Sequence, residues 1–241
     1  MKAMLRSRRF RIWAVIALIF GLIVTFPLAL AFSLMGLKDM GVTARSLRGP
    51  VWWGGAEELT VAGVRLGTVD VFLDPLRLLV GQARVDVARF TGRPDDFVGG
   101  MMVGFGTRGI ERVTGNLPIG SALAPLPVSR AEFDKFTARF SGNLCSRAEG
   151  RVRVHVPALI TGLNLANGLT GEARCDGETL LLPLVSQSGQ ERLDLRFRAN
   201  GNFEATMRIR TSDPLLSAGL SASGFRAGEG GELMQRVTGK L

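Results

Sequence analysis

Two cysteines and one histidine carry the widest chemical repertoire in this 241-residue chain, and their spacing limits what they can do. Cys145 and Cys175 form neither a C-x-x-C redox motif nor, with His155 alone, a complete zinc set. In an oxidising compartment an isolated pair is most simply a disulfide, and two free thiols are the alternative. His155 follows Val152 and Val154 in an alternating run, on the side shared with Arg151 and Arg153, where it reads as a wet-face spacer and not a catalyst. The adjacent carboxylates Glu57-Glu58 and Asp95-Asp96 do not form an acid-base pair. On a strand neighbours point to opposite faces, and in a loop they suit a solvated turn. Gly99-Gly100 and Gly104-x-Gly106 are too loose for a phosphate cradle, no serine sits in a nucleophile elbow, and tyrosine is absent. The reading is a non-enzyme: catalytic residues none, metal none, cofactor none.

The elements that must position these residues begin with Lys2, Arg6, Arg8, Arg9 and Arg11, followed by an uncharged run from 12 to 37. A span needs about 20 apolar residues, so residues 12–35 predict a single transmembrane helix in which Pro27 is tolerated as a kink. The positive-inside bias places the basic tail, residues 1–11, in the cytoplasm and exports everything after the span. A cleavable signal peptide, with Ala29-Leu30-Ala31 imitating a processing site, is the alternative, and it exports the same domain.

The formal charge of +9 overstates the exported part, because five of the basic residues sit in the tail. The remaining arginines are spread through strand-like runs without interleaved aromatics, which does not fit a nucleic-acid footprint. Period-two alternation dominates. The most pronounced case is a hairpin, Leu193 to Ala199 and Phe203 to Ile209 joined by Asn200-Gly201, for which a type I′ turn is predicted. Further strands are predicted at 42–47, 57–61, 64–73, 82–90, 136–140, 151–156, 169–173, 179–185 and 216–225, with a helical turn at 75–79.

The fold class is therefore mainly β, an N-terminal transmembrane helix followed by an antiparallel β domain in two curved-sheet lobes, residues 36–90 and 129–241. Residues 91–128, rich in glycine and proline, are expected to cross between the lobes and pack partly on them, and the segment reads as an extended apolar edge strand, a partner-docking loop or a mobile insertion. Trp52 and Trp53 sit in a Gly- and Pro-bounded corner. Either one ring caps the apolar face of the first lobe beside a partly exposed neighbour, or the pair is an aromatic anchor for a partner or a membrane surface.

Several motifs, in order, resemble the protein N family of the bacterial type II secretion system. That family opens with a basic tail and one span and tends to carry Gly-Thr-x-Trp-x-Gly-x-Ala, here Gly49-Pro50-Val51-Trp52-Trp53-Gly54-Gly55-Ala56. A Leu-Gly leading to Pro and Leu-Leu-x-Gly follows as Leu66-Gly67, Pro75 and Leu78-Leu79-Val80-Gly81. Cys145 before Glu149-Gly150, Cys175 before Asp176-Gly177 and Leu220-x-x-x-Gly224-Phe225 also fit. Pro50 stands where threonine is usual and Val71 where tryptophan is expected. The resemblance implies a noncatalytic inner-membrane component of the secretion machinery, with an assembly or accessory role in exporting folded proteins across the outer membrane. It implies a single-pass protein with a periplasmic domain. Its partners would be other inner-membrane platform components and the phospholipid bilayer, met through the N-terminal helix. A periplasmic carrier of lipids or other hydrophobes, with a groove left open on one sheet face, is the competing class.

Overall fold

The computed structural model describes residues 8–34, 41–61, 63–120, 128–157, 165 and 167–240. The start of the basic tail, with Lys2 and Arg6, and the end of the expected span lie outside the described residues.

The apolar N-terminal run is not one helix. Helix α1 (Arg8–Val24) has 17 residues, about 26 Å at 1.5 Å per residue, and its first turn is basic. It ends where Thr25 and Phe26 hydrogen-bond back to Gly21 and Ile23, and Pro27 forms a bridge with Pro50 instead of extending the helix. The run then turns into α2 (Leu28–Leu34), which buries Leu28, Ala31 and Phe32. Part of the apolar sequence is thus spent on tertiary packing. Among the described residues no helix is long and apolar enough to cross a membrane. This corrects the expected transmembrane helix at 12–35, and with it the single-pass cell inner membrane localisation and the bilayer contact through the N-terminal helix.

Beyond α2 the chain is mainly strand. β1 (Val42–Thr43) and β2 (Ser46–Arg48) lie against β3 (Gly54–Val61), and β4 (Val64–Leu73) leads through the short helix α3 (Pro75–Leu78) to β5 (Gln82–Arg89), β6 (Phe97–Gly104) and β7 (Thr107–Leu117). Then come β8 (Arg130–Ser141), β9 (Leu144–His155), β10 (Leu169–Glu172), β11 (Arg174–Asp176), β12 (Thr179–Ser186), β13 (Glu191–Arg198), β14 (Asn202–Ile209), α4 (Pro214–Ala222), β15 (Arg226–Ala227) and β16 (Leu233–Lys240). Among the described residues all sixteen strands belong to one sheet, ordered β1-β3-β4-β5-β6-β7-β8-β9-β10-β12-β13-β14-β16-β15, with β2 on β3 and β11 on β12. One continuous antiparallel sheet runs through both expected lobes, residues 36–90 and 129–241.

The stretch expected to cross between lobes supplies β6 and β7, which pair with each other and with β5 and β8. Its glycines serve strand packing. A Cβ on Gly109 would lie 2.2 Å from the Ala138 carbonyl oxygen, and one on Gly115 would lie 2.2 Å from that of Asp96. Bulges bend β3, β7 and β8 at Glu58, Arg112 and Lys135, the non-glycine residues with positive φ among those described. The freed amides of Arg112 and Lys135 donate to the hydroxyls of Thr137 (3.1 Å) and Thr114 (3.2 Å).

Residues 216–225, read as a strand, form most of α4 and its exit. Asp213 accepts from the amides of Leu215 (2.8 Å) and Leu216 (3.5 Å), Pro214 stands at the first position, and Leu216 and Leu220 bury one face. The Asn-Gly hairpin forms, but with Leu193 opposite Met207 and Phe197 opposite Phe203 it is one residue away from the pairing that a two-residue Asn200-Gly201 turn would set. Its turn is not type I′: Gly201 alone is left-handed, and its amide donates to the Arg198 carbonyl.

The largest apolar cluster runs from Val113 to Leu233 and is closed by α4. Leu169, Leu184, Leu193 and Leu220 have no exposed surface. Two smaller clusters hold the early strands, one around Ala56, Val69, Val87 and Phe97, the other joining Leu28 and Ala31 to Val51 and Leu73. On the opposite face of β5, Arg84 binds Asp86 through Nε (2.9 Å) and Nη2 (2.8 Å), and Nη1 donates to Glu111 (3.0 Å). Arg139 holds the other oxygen of Glu111. Gly100 makes room, since a Cβ there would lie 2.5 Å from Asp86 Oδ1. The hydrogen bond to Asp86 raises Arg84 further above its ordinary value. Burial pushes the Glu111 carboxyl up, but Arg139 and Arg84 together leave it below the usual glutamate range.

Cys145 and Cys175 are joined by a disulfide, Cα to Cα 5.5 Å, across a separation of 30 residues. Among the described residues β11 is laddered to β12 alone, and Ala173 to Gly150 (2.9 Å) is the last amide bond before the bridge takes over the join to β9.

Two stability outcomes follow from the clamp and the bridge. Replacing both cysteines by serine is expected to cost about 3 kcal/mol in urea unfolding, as the chain entropy of so long a loop implies. Exchange should rise first at residues 144–150; unchanged stability would contradict this. Glu111→Ala should cost about 3 kcal/mol at neutral pH, because it leaves Arg84 and Arg139 without their shared carboxylate. Since the folded pKa of Glu111 lies below its unfolded value, its contribution is complete at neutral pH and is lost as pH falls through the folded value. Glu111→Gln should therefore show a shallower acid destabilisation than the parent; equal slopes would contradict the assignment.

Candidate interaction surface

The sequence's candidate reactive groups are dispersed. Both thiols are consumed in the disulfide. His155 stands on β9 with Nε2 4.0 Å from the Glu132 carboxylate, beside Arg153. Asp95 pairs with Arg89 (3.0 Å), while Asp96 accepts from the amides of Thr91 and Gly92 and from the Thr91 hydroxyl (2.7 Å). The Thr91 hydroxyl and then its amide hold the Asp96 carboxyl below the usual range. Glu57 accepts from Ser46 (2.5 Å), the main cause of its lowered pKa, and pairs with Arg48, whereas Glu58 pairs with Arg45 (2.8 Å). Among the described residues no three His, Cys, Asp or Glu side chains could hold a metal ion.

What the fold does build is a corner and a row of apolar turns. At the corner, the Val51 amide donates to the Phe26 carbonyl (2.8 Å) and the Leu28 amide to that of Gly49 (3.0 Å), so residues 49–54 grip the junction of α1 and α2. Gly54 is forced there, because a Cβ would lie 2.8 Å from Leu28 Cδ2 and 2.7 Å from the Arg48 carbonyl oxygen. The two tryptophans part. Trp52 donates from Nε1 to the Ile23 carbonyl (2.8 Å) and lines an apolar groove of about 380 Å³ with Ile19, Leu22 and Leu73. Trp53 is 61% exposed.

The turns entering β5, β7 and β9 stand side by side at one end of the sheet. Phe105 lies over Gly81, whose Cβ would meet the ring at 2.1 Å, and the Gly142 amide donates to the Gly106 carbonyl (2.6 Å). Phe105 is 89% exposed and Leu79 83%, and Leu76, Val80 and Leu144 are exposed with them. The sequence reading did not single out these residues as a surface. A signal was present: Leu79-Val80 precedes Gly81, and Phe105 stands between Gly104 and Gly106, so each apolar side chain sits in a glycine-marked turn where no core can form. The turns are held by Asp74, which caps α3 through the amides of Leu76 (3.0 Å) and Arg77 (3.4 Å), and by the ion clamp on β5 and β7. Such a patch on a rigid scaffold is suited to contacts and offers no reactive group.

No curated protein and no solved structure matches the chain. The family described as Type II secretion system (T2SS), protein N matches residues 40–233, from just before β1 into the start of β16. That match takes in the Trp corner, the apolar turns and both cysteines, and on its extent the chain belongs to the type II secretion system protein N family.

Proposed function

We propose that this chain is a noncatalytic component of the type II secretion machinery, with an assembly or accessory role in moving folded proteins across the outer membrane. It acts by contact with other components of that machinery. The family supplies the process, and the row of exposed apolar turns carries the reading of how the chain serves it. Large apolar side chains at the tips of short turns lose little entropy on docking and gain burial, which is the composition of an interface centre. Trp53, at the corner on the same end of β3 and β4, extends the contact surface in this reading.

The alternative, a lipid or hydrophobe carrier, depended on an open apolar groove in the second half of the sheet. Leu169, Leu184, Leu193, Ala205 and Leu220 fill that face at zero exposure, which supports the contact reading over the carrier. A packed core has no room for an acyl chain.

The test is a full-length double variant, Leu79→Asp with Phe105→Asp. Exposed positions tolerate such changes within about 0.5 kcal/mol, so melting should stay near the parent value. Co-purification with the machinery's other proteins should fall roughly tenfold or more, as truncation of interface anchors does. Trp53→Ala should act in the same direction. Retention of every co-purifying protein by the folded double variant would overturn the proposal, and stoichiometric lipid in native mass spectrometry would favour the carrier.

A further inference from the structure

The two edges of the sheet are finished differently. At the first edge β1 and β2 lie along β3, covering Gly55 to Glu57 and Thr60 to Val61. At the other, β15 covers Leu233 and Met234 alone, so that among the described residues Gln235 to Lys240 pairs with β14 on one side and with no strand on the other. An unpaired ladder of six residues is a template for another strand.

The two faces of this edge have different chemistry. Val237 packs against the main core, and Gly239 lets the Phe203 ring lie over the strand, since a Cβ there would meet it at 2.6 Å. Arg236, Thr238 and Lys240 line the outer face. A cleft of about 550 Å³ opens beside them, lined by Arg196, Arg198, Glu204 and Lys240 among others. Its one carboxylate, Glu204, is held by Arg236 (3.2 Å), and Arg196 is paired with Asp176 (3.5 Å). Arg198 and Lys240 have no acidic partner among the described residues, which leaves the cleft with a surplus of positive charge.

We propose that the open edge of β16 is a docking site for an extended segment of a partner protein, added as a further strand, in which apolar side chains alternate with acidic ones. Main-chain hydrogen bonds to Gln235 through Lys240 supply the register-independent part of the affinity. Apolar side chains of the incoming strand rest on Val237 and Phe203, and its carboxylates reach Arg198 and Lys240. The surplus of positive charge favours an acidic partner over a second copy of this basic edge, and two of the self-pairings also set like charges against each other. A symmetric pairing centred on Arg236 sets arginine against arginine, and one centred on Thr238 sets Arg236 against Lys240, and like charges facing across a ladder are destabilising.

The experiment uses the full chain and two labelled, end-capped octapeptides, one alternating valine with glutamate and one alternating valine with lysine. Fluorescence anisotropy should show the glutamate peptide binding at least tenfold more tightly than the lysine peptide, with hydrogen exchange slowed severalfold at residues 235–240. Arg198→Glu combined with Lys240→Glu, both at exposed positions, should abolish or reverse that preference. Equal binding of the two peptides, protection elsewhere on the sheet, or self-association that slows exchange at β16 without peptide would each overturn the proposal.

Discussion

Each strand of this protein is held by its ladder neighbours, and among the described residues every strand belongs to the one sheet. Every other feature answers to that constraint. An antiparallel ladder satisfies the backbone only if the strands keep close approach over their whole length, and the sheet buries an apolar face only by bending. The bulges at Glu58, Arg112 and Lys135 bend it, and threonine hydroxyls recover two of the amides that bending frees. Glycines at 109 and 115 allow the approach. Where the β9 side of the ladder gives out, the disulfide continues it.

The same constraint explains the placement of charge. A curved sheet has an outer face that must stay soluble, and this one is laced with cross-strand arginine–carboxylate pairs such as Arg153–Glu132 (3.4 Å) and Arg151–Glu172 (3.2 Å). Exposed pairs of this kind add little stability each, but they keep the outer face from burying itself elsewhere. The Arg84–Glu111–Arg139 set differs because Arg84 and Glu111 are buried and Arg139 is half-buried, so its members depend on one another and tie β5, β7 and β8 together. The apolar turns project from the end of those strands.

Legibility followed the physics. β4 was readable to the residue, because Val64 to Leu73 is bounded by Gly63 and by Asp74-Pro75, and β13 and β14 were readable from strict alternation, though their register was not. β6 and β7 were not, since sequence alone does not distinguish a glycine that a neighbouring backbone demands from one that loosens a linker. Leu216 to Phe225 misled because Leu216 and Leu220 share a helical face as readily as they sit among strand residues, and Asp213-Pro214 was the discriminating signal. The N-terminal run misled for a different reason. Hydropathy reports how apolar a segment is, but here Pro27 and the demand of Val51 and Leu73 for cover divide it between α1 and α2. Of the candidate site, Trp52 and Trp53 were legible as a corner. The turn surface was not, because it exists only once three distant turns are brought to one end.

The helix junction and the first strands are mutually dependent, which changes how the N-terminal segment is understood. Leu28 and Ala31 complete a cluster that the sheet cannot close alone, Trp52 fixes the exit of α1 through the Ile23 carbonyl, and Gly54 exists in that form to let Leu28 approach. Removing the segment before residue 40 would expose Val51 and Leu73 and free the corner that carries Trp53. The family match begins at that residue, yet the corner's contacts reach back to Ile23, Phe26 and Pro27. From Phe26 to Phe32 the apolar run is therefore part of the fold, and its sequence there is constrained by packing as well as by hydropathy.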